Sequence, residues 1–250
     1  MVDQRGSTRH GSYGVDAPPV VMGLASAMVV CIAGIVVSAF SGIDWLAGLF
    51  TLGAVWSVGQ LGLYLHATRR GKFAVWNELL DELALRGDER VLDLGCGRGA
   101  VLLAAARRLP TGEAVGIDLW RSVDQSGNAE EVTRRNAEAE GVSDRVELLT
   151  GDITALPFPD NSFDVVVSSL VIHNIGVPDA RIAAVTEALR VLKPGGRLRI
   201  ADIQHTDEYE TRVVELKATD VALRPLGWRM WWGGPWMPTR LVTATKAAER

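Results

Sequence analysis

Hydrophobic and polar positions fall along this chain in two regimes. Between Ala17 and Thr68 the only Asp, Glu, Lys or Arg is Asp44. Residues 20–40 and 45–65 are uncharged runs with no polar stripe at helical spacing, and Gln60 is their most polar member. As a helix each run reaches roughly 30 Å, the thickness of a bilayer's hydrocarbon core. A soluble helix normally keeps a polar face, so the pattern predicts two transmembrane helices rather than a buried soluble hairpin. The residues between, 41–44, permit only a tight turn. Small residues such as Gly23, Ala27, Gly34, Gly48 and Gly53 allow the two helices to approach closely. A cleaved signal peptide is disfavoured for the first run, because the run is long and a second follows at once.

From residue 69 onward short apolar runs alternate with amphipathic ones. Strands are predicted at 91–94, 113–118, 145–152, 163–169 and 197–203, and helices at 100–109, 129–141, 178–192 and 205–217. Asn128 is placed as an N-cap, Gly141 as a helix stop and Pro178 as a helix opening. Residues 220–231 and 240–246 read as a terminal strand pair. Such alternation predicts a mostly parallel sheet with right-handed crossovers. Ligands of these sheets sit at the carboxyl ends of the strands, near the switch point. Residues 1–16 are polar and rich in Gly and Ser, and are expected to form a disordered tail. The predicted organisation is therefore a tail (1–16), a two-helix hairpin (17–68) and an α/β domain (69–250).

Composition narrows this picture. The 250 residues carry a net charge of −4, which supplies no electrostatic reason to expect a nucleic-acid partner. The two cysteines, Cys31 and Cys96, lie in segments of different character, which excludes a disulfide framework and suits a reducing compartment. Four scattered histidines show no zinc spacing, so no metal is expected. Arg5 and Arg9 precede the first run, Arg69, Arg70 and Lys72 follow the second, and the linker has no basic residue. Both termini are thereby expected in the cytoplasm. Trp45 and Tyr64 stand at span ends, where interfacial aromatics belong. The excess of Arg over Lys, with abundant Ala, points to a GC-rich bacterial genome and hence to a bacterial cell membrane.

The candidate chemistry lies at predicted strand ends. After the first strand comes Asp93-x-Gly95-x-Gly97-x-Gly99, where glycines permit a tight turn and close backbone approach to a ligand. The spacing differs from the dinucleotide fingerprint. Asp118 closes the second strand, where a carboxylate can accept hydrogen bonds from ribose hydroxyls. Gly151-Asp152 closes the third, where a carboxylate can meet an adenine amino group. Each acidic residue alone is an ordinary loop end; three on successive strands, with the glycines between, favour a nucleoside cofactor.

On these residues the chain resembles the class I S-adenosylmethionine-dependent methyltransferases. VLDLGCGRG (91–99), AVGIDLW (114–120), GDITALPFPDNSFDVVVSS (151–169) and LRVLKPGGRLRIADI (189–203) are similar to successive motifs of that family, in its small-molecule and lipid branch. The resemblance implies a Rossmann-like seven-stranded sheet with helices on both faces and an antiparallel last strand. It implies S-adenosylmethionine as cofactor. Asp93, Gly95, Cys96, Gly97 and Gly99 would form the loop around its methionine part. Asp118 would hold the ribose, with Leu119 or Trp120 beside the adenine, and Asp152 and Ile153 would contact the adenine edge. Ser168 and Ser169 would face the methyl group. Cys96 reads as a small spacer, since the family chemistry needs no nucleophilic thiol. His173, just past the fourth strand, is the candidate general base, with a lid-packing loop residue as its alternative.

Departures from other branches narrow the acceptor. Ser168-Ser169-Leu170-Val171 stands where nucleobase and protein-glutamine methylators carry Asn/Asp-Pro-Pro-aromatic, and arsenic methylators need several cysteines. The stretch 120–128 is either part of a lid or a surface loop. Trp228, Trp231, Trp232 and Trp236 are half of the eight tryptophans. Core packing, an interfacial contact and a wall for an apolar substrate are all open for them. The expectation is a membrane-anchored methyltransferase facing the cytoplasm, acting on a small or lipophilic acceptor. A non-catalytic S-adenosylmethionine-binding membrane protein is the alternative. A nicotinamide-dependent oxidoreductase is disfavoured by the glycine spacing and the lack of a Tyr/Lys pair. The oligomeric state is left open.

Overall fold

A computed structural model describes residues 9–248. In chain order its helices are α1 (Pro18–Phe40), α2 (Asp44–His66), α3 (Lys72–Glu82), α4 (Leu102–Ala106), α5 (Glu130–Ala139), α6 (Pro178–Val191) and α7 (Thr206–Glu215). Its strands are β1 (Arg90–Leu94), β2 (Glu113–Asp118), β3 (Val146–Thr150), β4 (Phe163–Ser169), β5 (Leu192–Asp202), β6 (Thr219–Pro225) and β7 (Arg240–Thr245).

The central strands are apolar on both faces because both faces are covered. Val91, Val165, Val167, Ala201 and Leu241 share one core with α3 and α4. Their neighbours Leu92, Val166, Leu198, Ile200 and Val242 share the other with α6 and α7. The strand order is β3-β2-β1-β4-β5-β7-β6. β7 runs antiparallel to both β5 and β6, and the remaining pairings are parallel. The chain winds outward in opposite directions from β1 and β4, so the switch point lies between them. The seven-stranded sheet with helices on both faces is as the resemblance implied.

Several boundaries differ from expectation. The strand predicted at 220–231 stops at Pro225, which has no N–H to extend the ladder. Residues 226–239 instead form a loop with a 3-10 turn at Trp228–Met230. Asn128 does not cap α5; its amide donates to Asp118 Oδ1 at 3.2 Å, a carboxylate being the stronger acceptor. α3 had no predicted counterpart, although Val75, Trp76, Leu79 and Leu80 mark its buried face at helical spacing.

α1 and α2 form an antiparallel hairpin in which Phe50 lies against Gly34 and Cys31 against Gly53. α2 continues through a π-turn (Ala67–Gly71) into α3, one helical run of 39 residues from Asp44 to Glu82. The apolar window of α1 is 0% buried and that of the longer run 6%, so neither is covered by the rest of the described chain. Two apolar helices are long enough to cross a bilayer, by length and composition.

The disordered-tail expectation for 1–16 fails where the structure describes it; residues 1–8 lie outside the described residues. Residues 9–17 are laid along the α/β body. The backbone N–H groups of His10 and Gly11 and the Tyr13 hydroxyl donate to Glu140 Oε1, and Ser12 N–H donates to Asn136 Oδ1. Val15 and Ser126 exchange two hydrogen bonds. Polar side chains of α5 thus supply backbone partners that composition alone does not reveal.

The hairpin is also tied to the domain. Asp16 receives Lys72 Nζ at 2.6 and 2.7 Å and the Thr68 hydroxyl at 2.6 Å, and Lys72 is only 4% exposed. The 226–239 loop docks on α2 through aromatic pairs: Trp236 on Trp56, Trp232 on Tyr64 and Trp228 on His66, with centroids 4.8–5.2 Å apart. Arg229 forks onto Glu78 of α3 at 2.6 and 2.7 Å.

Two stability predictions follow from this docking. A Cβ on Gly71 would lie 1.8 Å from the Arg229 carbonyl oxygen, a backbone atom. Gly71→Ala should therefore destabilise the full chain in detergent by about 1–3 kcal/mol, read as a lower melting temperature. Lys72→Met alone leaves the Asp16 carboxylate without its counter-ion and should cost on the order of 3 kcal/mol. Combining it with Asp16→Asn should recover much of that loss in the same melting assay.

Candidate functional site

A cavity of about 760 Å³ opens at the carboxyl ends of β1, β2 and β4, a volume in the upper part of the range for small-molecule sites. Its floor is the turn after β1. Gly95 and Gly97 take left-handed backbone (φ 70 and 51) and leave no room for a side chain. A Cβ on Gly95 would meet Val171 at 2.4 Å, and one on Gly97 would meet Gln125 Oε1 at 2.6 Å. The turn is closed by Gly95 N–H donating to the Ile117 carbonyl. Gly99, also left-handed, packs toward Leu103 and Thr133 and is not at the cavity wall.

Asp118 sits at the end of β2 with its carboxylate held in place. Oδ2 accepts the Gly97 N–H at 2.8 Å, and Oδ1 accepts the Trp120 N–H at 2.5 Å. Asp93 is buried at the other side of the turn, and its Oδ1 has no partner among the described residues. Burial pushes its pKa well above the usual carboxylate range, and the nearby Asp118 charge adds to this. Burial likewise pushes the Cys96 thiol up, with Asp93 and Asp118 reinforcing it. The thiol therefore stays protonated, as a spacer would.

Other predicted residues divide. Leu119, Asp152 and Ile153 line the cavity; Asp152 Oδ1 also accepts the Thr154 N–H at 2.9 Å. Trp120 does not line it, and its indole N–H donates to Thr150 Oγ1 at 2.8 Å. Ser169 lines the cavity, with its Oγ accepting the Trp76 indole N–H at 2.8 Å. Ser168 does not: it is 1% exposed and donates to the Leu94 carbonyl. Successive strand residues point to opposite faces, so the two serines could not both reach the site.

His173 lies on the cavity wall in a 3-10 turn just after β4. Its Nδ1 is 2.5 Å from Asp202 Oδ1 at the end of β5, and its backbone N–H donates to Asp202 Oδ2. Asp202 is 1% exposed. The Nδ1–Asp202 approach lacks hydrogen-bond geometry, so it is a charge contact at the cavity wall and does not by itself set the ring's tautomer.

Of the remaining walls, the 120–128 stretch and the tryptophans are alternatives left open by the sequence, whereas the residues from 16–17, α1 and α2 are not predicted by it. Val123, Asp124 and Gln125 bring the 120–128 stretch to the cavity, in the position of a lid. Asp16 and Ala17 lie beside it, with Ala17 N–H donating to the Asp124 carbonyl. Leu24 of α1, Gln60 and Tyr64 of α2, and Trp232, Trp236 and Met237 of the C-terminal loop complete the enclosure. The tryptophan cluster thus both packs on α2 and walls the cavity. The only sequence signals were the unusual length of 120–128, the lone amide in an apolar run and the tryptophan density.

The residues present fit S-adenosylmethionine. An orphaned buried carboxylate oxygen suits an ammonium group, a side-chain-free turn admits the amino-acid portion, and a fixed carboxylate one strand over suits vicinal hydroxyls. Comparison with known proteins agrees. Residues 92–200 match the family described as a methyltransferase domain. The chain is 42% identical over 134 residues to the ubiquinone/menaquinone biosynthesis C-methyltransferase UbiE of Dinoroseobacter shibae, covering 53% of this chain and 50% of that protein. The chain spans about half the length of the curated relatives it matches. Among solved structures, the [4+2]-cyclase SpnF superposes with TM-score 0.56 at 21% identity, covering 69% of this chain and 81% of its own. A SAM dependent methyltransferase from Aquifex aeolicus superposes with TM-score 0.54 at 19% identity, covering 69% and 89%. These likenesses show the fold. Within the α/β body, residues 92–200 are similar to S-adenosylmethionine-dependent methyltransferase domains, which supports S-adenosylmethionine as the cofactor.

The two acids beside the glycine turn make separable predictions. Asp118→Ala should weaken S-adenosylmethionine binding by about 10–100-fold in calorimetric titration of the full chain, the loss of a charge-assisted hydrogen bond. Asp93→Asn should weaken it similarly while leaving the cofactor-free protein equally or more stable. The raised pKa of Asp93 in the folded state means its contribution to stability is present below the usual carboxylate range and lost as pH rises through the folded value. The Asn variant should lack that decline in a series of melts at increasing pH.

Proposed function

We propose that the chain is a methyltransferase anchored in a bacterial cell membrane, with both termini and its active site on the cytoplasmic side. It places a methyl group on a ring carbon of a lipophilic hydroquinone. The single observation that carries this reading is that one cavity joins the glycine turn, Asp118 and Asp152 to walls supplied by both apolar helices and the tryptophan loop. The exposed apolar surface of α1 and α2 supports anchoring, and the likeness to a C-methyltransferase of ubiquinone/menaquinone biosynthesis supports the acceptor class.

When bound, S-adenosylmethionine supplies a methyl group already activated on a sulfonium. The protein's work is to hold two partners in line and exclude water. Asp93 takes the cofactor's ammonium, Asp118 its ribose hydroxyls, and Leu119 and Ile153 flank the adenine. His173 Nε2 takes the proton of the acceptor's ring hydroxyl, while Asp202, in charge contact with Nδ1, stabilises the imidazolium that forms. The electron density released makes the adjacent ring carbon the nucleophile. The cofactor would supply the methyl, its carbon–sulfur bond giving way to the new carbon–carbon bond; the ring carbon's proton would pass to water while the His173 imidazolium returns its own to the ring oxygen. The non-catalytic alternative is not favoured, because a paired base stands on the cavity wall.

The test is methyl transfer from labelled S-adenosylmethionine by the full chain in lipid nanodiscs. The acceptor is a reduced naphthohydroquinone with a two-isoprene tail and no neighbouring ring methyl. Label is expected in the acceptor. His173→Ala should lower kcat by about 10²–10⁴-fold with cofactor affinity unchanged. Absence of transfer to this acceptor, with cofactor binding intact, would overturn the assignment. In cell fractions the full chain is expected to stay with the membrane pellet through an alkaline carbonate wash, and its release would sink the anchoring.

A further inference from the structure

Two polar side chains of α2 line the cavity, Gln60 and Tyr64, and only one of them has a hydrogen-bond partner among the described residues. The hydroxyls of Thr51 and Ser57 donate to the Ala47 and Gly53 carbonyls of their own helix, and the Tyr64 hydroxyl donates to the Asp16 carbonyl. The Gln60 carboxamide has no hydrogen-bond partner among the described residues, yet it lines the cavity. The side chain is half-buried, and an amide on an apolar wall is costly unless a partner meets it. An anchor helix would be better served there by Leu.

Its surroundings show what the amide faces. Trp56, Gln60 and Tyr64 are spaced four residues apart and share one face of α2. The tryptophan loop closes on that face like a zipper, Trp236 stacking on Trp56 and Trp232 meeting Tyr64 edge to face. Between them, opposite Gln60, the loop offers Gly233 (φ 102), which has no side chain to fill the gap. A Cβ built there would be 3.6 Å from Gln60 Oε1. Apolar walls from Leu24 and Met237 continue the same cavity. The charges nearby, Asp16 and Lys72, neutralise one another.

Resting on the function proposed above, we infer that Gln60 is the acceptor-recognising residue. Its carboxamide pairs with a ring oxygen of an uncharged, oxygen-bearing lipophile that enters between α2 and the tryptophan loop. The amide both donates and accepts, so it fits a hydroxyl or a carbonyl. On α2 itself the amide has no charged neighbour, and the cavity's Asp16 and Lys72 are paired with one another, which favours an uncharged group at this end of the site. The transmembrane hairpin is therefore part of the substrate site as well as an anchor.

The experiment uses the full chain in nanodiscs with Gln60→Leu and Gln60→Asn. The first readout is KM for the two-isoprene naphthohydroquinone. The second is equilibrium binding of its oxidised form, followed by quenching of tryptophan fluorescence without turnover. Gln60→Leu should raise both KM and the quinone Kd by about 3–10-fold, the loss of one neutral hydrogen bond. The calorimetric affinity for S-adenosylmethionine and the melting temperature should not fall. Gln60→Asn should fall between wild type and Leu. Unchanged quinone binding in Gln60→Leu would overturn the inference even where methyl transfer succeeds. Should wild type bind the quinone and not methylate it, the proposed function fails, and the binding difference still decides the role of Gln60. Methyl transfer into phosphatidylethanolamine vesicles would overturn the uncharged-acceptor claim.

Discussion

One carboxylate, Asp16, is where the three parts of this chain meet. It pairs with Lys72 at the start of α3 and with Thr68 in the π-turn that ends the apolar run. It also accepts the amide of Gln125 from the 120–128 stretch, and Gln125 in turn accepts the Arg98 N–H of the glycine turn. The network therefore runs from the base of the second apolar helix to the backbone that forms the cofactor site. A buried ammonium must be paired, so meeting the needs of Lys72 fixes the path of residues 9–17, and that path lays the segment beside the cavity.

The position of the cavity follows from this tie. The parallel sheet would place a cofactor crevice at its switch point in any protein of this architecture. Here the same crevice is extended by two helices whose outer surfaces are apolar and exposed, and by a loop whose tryptophans stack on one of them. On the function proposed above, a lipophilic acceptor dissolved in a bilayer would be concentrated in two dimensions beside that opening. Tethering would then raise the encounter rate without any new contact at the reacting atoms.

The site's electrostatics are economical. Two carboxylates flank the glycine turn in different states: Asp118 is held by backbone N–H groups, while Asp93 is buried with a free oxygen and resists ionisation. One is poised for hydroxyls, and the other becomes favourable as an anion only when a cation arrives. His173 sits apart, across the cavity just after β4, beside the buried Asp202. In the mechanism proposed above, proton transfer and cofactor binding would use separate acids.

The order of strands and helices, the glycine turn and the acids on three successive strand ends were legible from the sequence, because they depend on local period and on spacing within single strand-to-helix units. So were the two apolar runs, whose length and lack of a polar face are local properties. The pairing of His173 with Asp202, the burial of Ser168 and the outward turn of Trp120 were not, since each depends on which face or neighbouring strand a residue meets. Residues 9–17 looked featureless because their partners, Glu140, Asn136 and Ser126, lie more than a hundred positions away. The sequence could mark Gln60 as odd and the tryptophans as dense. Only the folded chain brings α2 against the 226–239 loop and the strand ends, because long-range docking decides which surfaces share a cavity.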